Sequence, residues 1–260
     1  MIFDLHNDFP TALDKESYKK YVKQNRKTLI TAVIWTSELG DRATEKVDDI
    51  TEALRRVGRM PIAVEDVGFL AERDGYKHFD FDKYLYCSLT WNYDNAFAGG
   101  ALDDGDLTEC GKQIIEYIKH SRCVLDLAHL NKKSFYKVIE RCERVICSHT
   151  GFNKHLRSLD KTQIDEIIAR NGLIGMCAVT AFTGAHNLSE FAEEIDRFVQ
   201  KYGVNNLAIG SDLYGSSDVP DDMNDYSKLD CLNYRLKEFG YTDGDIDGIF
   251  RRNAFEYFGF

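Results

Sequence analysis

Eight apolar, β-rich runs recur along the chain at wide spacing: IFDLH (2–6), TLITAVIW (28–35), PIAVE (61–65), YLYCSLTW (84–91), CVLDLAH (123–129), VICSH (145–149), LIGMCAV (173–179) and LAIGSD (207–212). A strand with one wet face alternates polar and apolar residues, whereas a strand covered on both faces is apolar almost throughout. The runs are of the second kind, so they read as parallel strands sheathed by helices. The segments between them supply those helices. DRATEKVDDITEALRRVG lines Val47, Ile50, Ala53 and Leu54 along one helical face. DLTECGKQIIEYIKH and NLSEFAEEIDRFVQKYG behave alike, and DKTQIDEIIARNG opens on Asp160 as an N-cap and stops at Asn171-Gly172. Eight strands predict a closed, TIM-like (β/α)8 barrel, with a doubly wound open sheet as the structural alternative. No glycine-rich phosphate loop follows the first run, which weakens a dinucleotide-binding version of the open sheet. With three prolines and no low-complexity tract, the 260 residues read as one barrel domain, 1–260.

The bulk properties exclude some partners. A net charge of −10 disfavours nucleic acid, because phosphate binding rests on Lys and Arg, and it gives no attraction to anionic membrane surfaces. No apolar run approaches the roughly 18 residues that span a bilayer, and Asp4, His6 and Asp8 interrupt any signal-like start. The seven cysteines form no C-x-x-C pair and sit mostly inside the apolar runs. They read as reduced buried thiols, and the expected location is cytoplasmic.

Chemistry concentrates where the runs end. The first ends in His6-x-Asp8, the third in Glu65, the fifth in Asp126-Leu-Ala-His129, the sixth in Ser148-His149 and the eighth in Ser211-Asp212. In a barrel, C-terminal strand ends converge on the face where active sites are built. Three imidazoles and the carboxylates of Asp8, Glu65 and Asp212 would then share one mouth. Crowded carboxylates resist joint ionisation, and divalent metal relieves that repulsion. Nitrogen and oxygen donors without thiolate suit zinc, with manganese, iron or cobalt as alternatives. Taken singly, each residue has a plainer role. His6 could be a satisfied core histidine, Glu65 a carboxylate favoured at a helix N-terminus, and Asp212 a turn residue before Gly215. The conjunction points to a site for two ions that share one carboxylate.

With these residues in view, the chain resembles the membrane (renal) dipeptidase family, zinc peptidases (family M19) of the amidohydrolase superfamily. DLHNDFP is similar to that family's D-G-H-N-D-hydrophobic-P opening, VEDVGFL to its I-E-G-G segment, and the block ending VLDLAH to its V-D-L-S-H. VICSHTG resembles S-H-[ST], LRSLDKTQI resembles R-N-L-x-D-x-Q-[IV], LAIGSDLYG resembles G-[ST]-D-F-D-G, and IDGIFRRNAFEYF the terminal G-G-N-x-L-R-V-F helix. The resemblance implies that His6 and Asp8 hold one zinc ion, that His129 and His149 hold the other, and that Glu65 bridges them. It implies that Asp212 orients a bridging hydroxide and passes its proton to the leaving amine, and that Arg157 binds a dipeptide's C-terminal carboxylate. It also implies a homodimer.

The departures are specific. Trp91 stands where the family's L-T-H-N motif has a histidine that contacts the substrate carbonyl, Tyr214 replaces a second aspartate, and Asp66-Val67 replaces a glycine pair. An indole N–H donates a hydrogen bond but carries no charge. The leading expectation is a dinuclear zinc dipeptidase with Trp91 at its substrate site. The alternatives are a related amidohydrolase acting on another small amide or an N-acyl amino acid, and a metal-binding barrel that has lost efficient turnover and serves as a binding protein.

Overall fold

Each of the eight apolar runs forms a strand in the computed structural model, which describes residues 1–260: β1 (Ile2–Asn7), β2 (Thr28–Trp35), β3 (Ile62–Glu65), β4 (Tyr86–Ser88), β5 (Val124–Asp126), β6 (Val145–Thr150), β7 (Leu173–Met176) and β8 (Leu207–Ile209). Each pairs in parallel with its sequence neighbours, and Asp4 of β1 meets Ile209 of β8 to close the ring. The fold is the expected (β/α)8 barrel, and the open-sheet alternative is excluded. Five strands are shorter than their apolar runs, β3 by one residue and β4, β5, β7 and β8 by three or more. Leu89, Leu127, Ala128 and Cys177 lie beyond the ladders yet stay buried. Apolar composition reports burial, and the covered loops at the barrel's C-terminal end are as buried as the strands.

The helices that sheathe the ring follow the periodicities read above. They include α1 (Lys15–Gln24), α2 (Ala43–Val57), α3 (Glu109–Lys119), α4 (Lys132–Ile139), α5 (Lys161–Ala169), α6 (Leu188–Tyr202) and α7 (Asn253–Phe258). Val47, Ile50 and Leu54 bury the inner face of α2, with Ala53 at its margin. Asp160 caps α5 through a reciprocal capping box with Gln163, and Gly203 ends α6 at φ 80°, a conformation that glycine adopts without a Cβ penalty. After β3 the connection is made of 3₁₀ turns, over Val67–Lys77, instead of an α-helix. No helix is long and apolar enough to cross a membrane.

Two apolar layers result. A large cluster packs the helices on the outside of the ring. A smaller one takes Phe3 and Leu5 from β1 and one residue from every other strand, from Val33 round to Ala208, and so fills the barrel interior. Phe255 and Phe258 of α7 pack against it. The N-terminal half of the barrel is thereby filled with hydrocarbon, and the polar strand ends occupy the other half. Gly175 and Gly210 matter for that division. A Cβ on either would lie 1.9 or 1.8 Å from the Ser148 carbonyl oxygen, so only glycine lets β6 approach β7 and β8 this closely.

Candidate metal centre and substrate mouth

β1 and β6 are irregular. The β1–β2 register shifts between Asp4 and Asn7, and the β6–β7 register shifts between Cys147 and Thr150. Such bulges re-aim side chains beside sites. Here they bring the His6 and His149 rings to a centroid separation of 3.8 Å. His129 and Asp212 add to the strain with φ of 68° and 58°, in the left-handed region that non-glycine residues seldom occupy. Backbone outliers of this kind persist only where the surroundings over-determine them, and they cluster at functional sites.

The six acidic and imidazole residues picked out at the strand ends meet at one place, and all are buried. His129 Nε2 lies 2.9 Å from Glu65 Oε1, His6 Nε2 3.6 Å and His149 Nε2 3.7 Å from the same oxygen. His6 Nε2 also stands 3.3 Å from Asp8 Oδ2. The donor atoms of His6, Asp8 and Glu65 lie within 4.8 Å of one another, as do those of Glu65, His129 and His149, and of His6, His149 and Asp212. Glu65 belongs to the first two sets. Gly215 makes the approach of the two aspartates possible, since a Cβ there would lie 2.1 Å from Asp212 Oδ1 and 2.5 Å from Asp8 Oδ2.

The surrounding hydrogen bonds decide where the imidazole protons sit. The Tyr86 hydroxyl donates to the Leu5 carbonyl at 2.7 Å, so its oxygen is free to accept from His6 Nδ1 at 2.9 Å. Ser148 Oγ donates to Asp126 Oδ2 at 2.5 Å and can therefore accept from His149 Nδ1 at 2.9 Å. The Asn92 side-chain oxygen, which only accepts, lies 2.9 Å from His129 Nδ1. All three rings thus carry a proton on Nδ1 and leave Nε2, which faces Glu65, as the atom that receives a cation, whether a metal ion or a second proton. Around that centre, His6 Nε2, both Asp8 oxygens and Glu65 Oε1 are buried without a hydrogen-bond partner. Lone pairs facing a carboxylate in a dry pocket repel each other unless a cation stands between them. The donor set fits divalent metal ions.

Charge without metal is arranged accordingly. Burial favours neutral imidazole at His6, but Asp8 and Glu65 outweigh it and push the ring up to about 10, so a proton occupies the place between them. Burial and the Arg157 guanidinium push His129 down to about 4, and burial with His6 and His129 drives His149 well below its ordinary value. Glu65 is held down at about 2 by His129 and His6 against the effect of burial. Burial, with the neighbouring Asp8 and Glu65 charges, raises Asp212 well above the carboxylate range, and burial also raises Asp8.

Arg157 is buried, stands 2.9 Å from His149 Nε2 through one terminal nitrogen, and lays its guanidinium 5.4 Å from the Phe182 ring centroid. It makes no ion pair, and its Nε has no partner. Trp91 lies between Trp35, at a ring separation of 5.1 Å, and His129, at 6.1 Å. Trp35, Trp91 and Phe182 line a cavity of about 310 Å³ whose floor is the carboxylate and imidazole cluster, and Arg157 sits beneath that lining, reaching it through His149 and Phe182.

Asp126, a strand-end carboxylate in the sequence, accepts from Ser148 Oγ, Ser148 N and Ala128 N and joins none of the three donor sets. Trp35, Tyr86, Asn92 and the orienting role of Ser148 were not read from the sequence. A period-two reading would have found Trp35, which follows the interior residue Val33 by two. Asp4 was also passed over. It takes hydrogen bonds from Ser211, Tyr226 and the His6 amide, and ties β1 to β8 beneath the site.

A family model described as membrane dipeptidase (peptidase family M19) matches residues 82–259, a span that includes His129, His149, Arg157 and Asp212. An uncharacterized dipeptidase of Schizosaccharomyces pombe is 23% identical over 182 residues, covering 65% of this chain and 44% of the relative. The dipeptidase aclJ of Aspergillus oryzae is 22% identical over 187 residues, covering 67% and 44%. The alignments thus span less than half the length of these curated relatives. A crystal structure of the dipeptidase AC, a metallo peptidase of family M19, superposes with a TM-score of 0.85 at 15% identity over 99% of this chain and 97% of that one. A metallo peptidase from Rhodobacter sphaeroides, solved with a phosphinate mimic of the dipeptide L-Ala-D-Ala, gives 0.81 at 14% identity over 99% and 98%. Such distant likenesses speak to the shared barrel. The family match extends over more than half of the sequence, and on that ground the chain belongs to the membrane dipeptidase family, peptidase family M19.

Proposed function

We propose that this protein is a dinuclear zinc peptidase that hydrolyses small dipeptides. The observation that carries the reading is the convergence of three imidazole lone pairs and the partnerless oxygens of Asp8 on one Glu65 oxygen. In this reading His6 and Asp8 hold one ion, His129 and His149 the other, and Glu65 serves both. When bound, the two ions supply Lewis acidity toward the amide carbonyl and lower the pKa of water. Zinc suits a set of nitrogen and oxygen donors without thiolate.

The chain's own groups then have distinct tasks. Arg157, a buried cation without an anion, receives the substrate's C-terminal carboxylate in a bidentate pair. Asp212, with its raised affinity for protons, takes a proton from the attacking water and returns it to the leaving amine. Trp35 and Trp91 exclude water from one side of the cavity. The names of the relatives, and the dipeptide mimic bound to the Rhodobacter sphaeroides peptidase, support a dipeptide as the substrate.

The presence of Trp91 in place of an imidazole favours a second reading, in which the amide is that of an N-acyl amino acid. Metal analysis of the purified protein combined with a panel of dipeptides and N-acyl amino acids tests both. Two ions per chain with dipeptide turnover is the expected result. Turnover confined to N-acyl amino acids would favour the second reading, and fewer than two ions would end the dinuclear one.

A further inference from the structure

Around an eight-stranded ring, β2 and β6 are four strands apart and face each other across the mouth. Arg157 follows β6, while Trp35 closes β2 opposite it. The register sets Trp35 directly beside Glu65, and Trp91 reaches from beyond β4 to pack on Trp35 and stand next to His129. The two indoles therefore flank the Glu65–His129 side of the cluster, and the guanidinium flanks the His149 side.

A dipeptide anchored by its carboxylate on Arg157 must run across the cluster. Two residues reach roughly 7 Å when extended, so the second anchor point belongs to the amino-terminal residue. We infer that the Trp35–Trp91 pair is the pocket for the side chain of the amino-terminal residue, and that it selects a planar, apolar side chain such as phenylalanine. This rests on the dipeptidase reading above. The rings meet at 54°, so one indole offers a face and the other an edge, and an aromatic guest completes such a cluster in the offset geometry that rings prefer. On the cavity side the carboxylate beside Trp35 is Glu65, already surrounded by histidines, whereas Glu38, Asp66 and Asp94 line a separate pocket against the same indoles, so Lys-Ala is the control that reports a guest drawn to that pocket.

The test compares kcat/KM of the metal-loaded protein for Phe-Ala, Ala-Phe, Lys-Ala and Ala-Ala. Burial of one aromatic side chain predicts that Phe-Ala exceeds Ala-Ala by roughly 10- to 100-fold. Trp35→Ala should collapse that ratio whatever it does to the absolute rates, and Trp35→Phe should retain most of it. Equal rates for Phe-Ala and Ala-Ala, or preference for Ala-Phe or Lys-Ala, would overturn the inference while leaving the dipeptidase reading intact. Trp35 and Trp91 are the only tryptophans in the chain, so all tryptophan emission comes from this wall. If no dipeptide is hydrolysed, the dipeptidase reading fails, and fluorescence titration of metal-stripped protein decides the pocket. A response to Phe-Ala at concentrations where Ala-Ala is silent upholds it, and equal or absent responses overturn it.

Discussion

The two sides of the mouth are built by different physics. The candidate metal cradle draws on β1, β3, β5, β6 and β8, is wholly buried, and is held by hydrogen bonds that place the Nδ1 proton of each of its three imidazoles. The aromatic wall draws on β2 and the loop after β4, is half-buried, and is held by ring contacts without hydrogen bonds. A network of buried polar groups has little freedom to change, because one lost partner leaves another unsatisfied in a dry environment. A wall of rings can exchange one member for another at modest cost. Of the three departures from the family pattern, Trp91 falls on the wall, while Asp66-Val67 and Tyr214 follow Glu65 and Asp212 and leave the six candidate donors themselves in place.

Cutting into the cradle should therefore cost far more than altering the wall. Asp212→Asn removes the proton carrier and keeps the shape, so turnover should fall by about 10²–10⁴ with metal content unchanged. Unchanged turnover in that variant would show that protons move by another route and that the raised affinity of Asp212 is incidental. One step further from the reacting atoms, Ser148→Ala removes the acceptor that keeps the His149 proton on Nδ1. Loss of such an orienting partner lowers metal affinity by about 10- to 100-fold. Nitrogen-15 NMR of the metal-free variant should show His149 in mixed tautomers, while His129, fixed by Asn92, stays as it was. An unaltered His149 tautomer would mean that the ring is set by packing alone.

The cradle was more legible in the sequence than the wall, for a reason visible in particular residues. His6, Glu65, His129, His149 and Asp212 are chemically marked residues at the ends of apolar runs, and the barrel topology alone brings strand ends together. Trp35 carries no such mark. It closes the run TLITAVIW as one more apolar residue, and only its two-residue offset from Val33 tells that it faces inward. Ser148 and Tyr86 were hidden differently. Their importance lies in whom they bond, and the β6 register shift that brings Ser148 near both His6 and His149 has no signature in composition. The apolar runs also overstated β4, β5 and β7, because the loops that roof the site are as hydrophobic as the strands beneath.

The smallest expected effect separates the two sides by pH. In the metal-free chain Asp8 and Glu65 raise His6 from its ordinary 6.5 to about 10. The folded chain then keeps a proton that the unfolded chain has already released, so this contribution to stability is complete below about pH 6.5 and is lost as pH climbs toward 10. Asp212, also raised, acts in the same direction, since it too binds protons more strongly when folded. His129, lowered to about 4, works the opposite way, but only between about 4 and 6.5, and so does not offset the fall at higher pH. The melting temperature of metal-stripped protein should thus drop by a few degrees between about pH 7 and 8.5, below the range in which the buried thiols of Cys87, Cys142, Cys147 and Cys177, also raised, add the same trend with or without metal. Metal binding requires deprotonated ligands and displaces the His6 proton, so the metal-loaded protein should show a much flatter profile over the same range. Indole does not titrate, and the Trp35–Trp91 emission of the native state should stay constant across it. A metal-stripped protein whose melting temperature is equally flat would mean that His6 holds no extra proton, and the cradle would then resemble the wall in its indifference to pH.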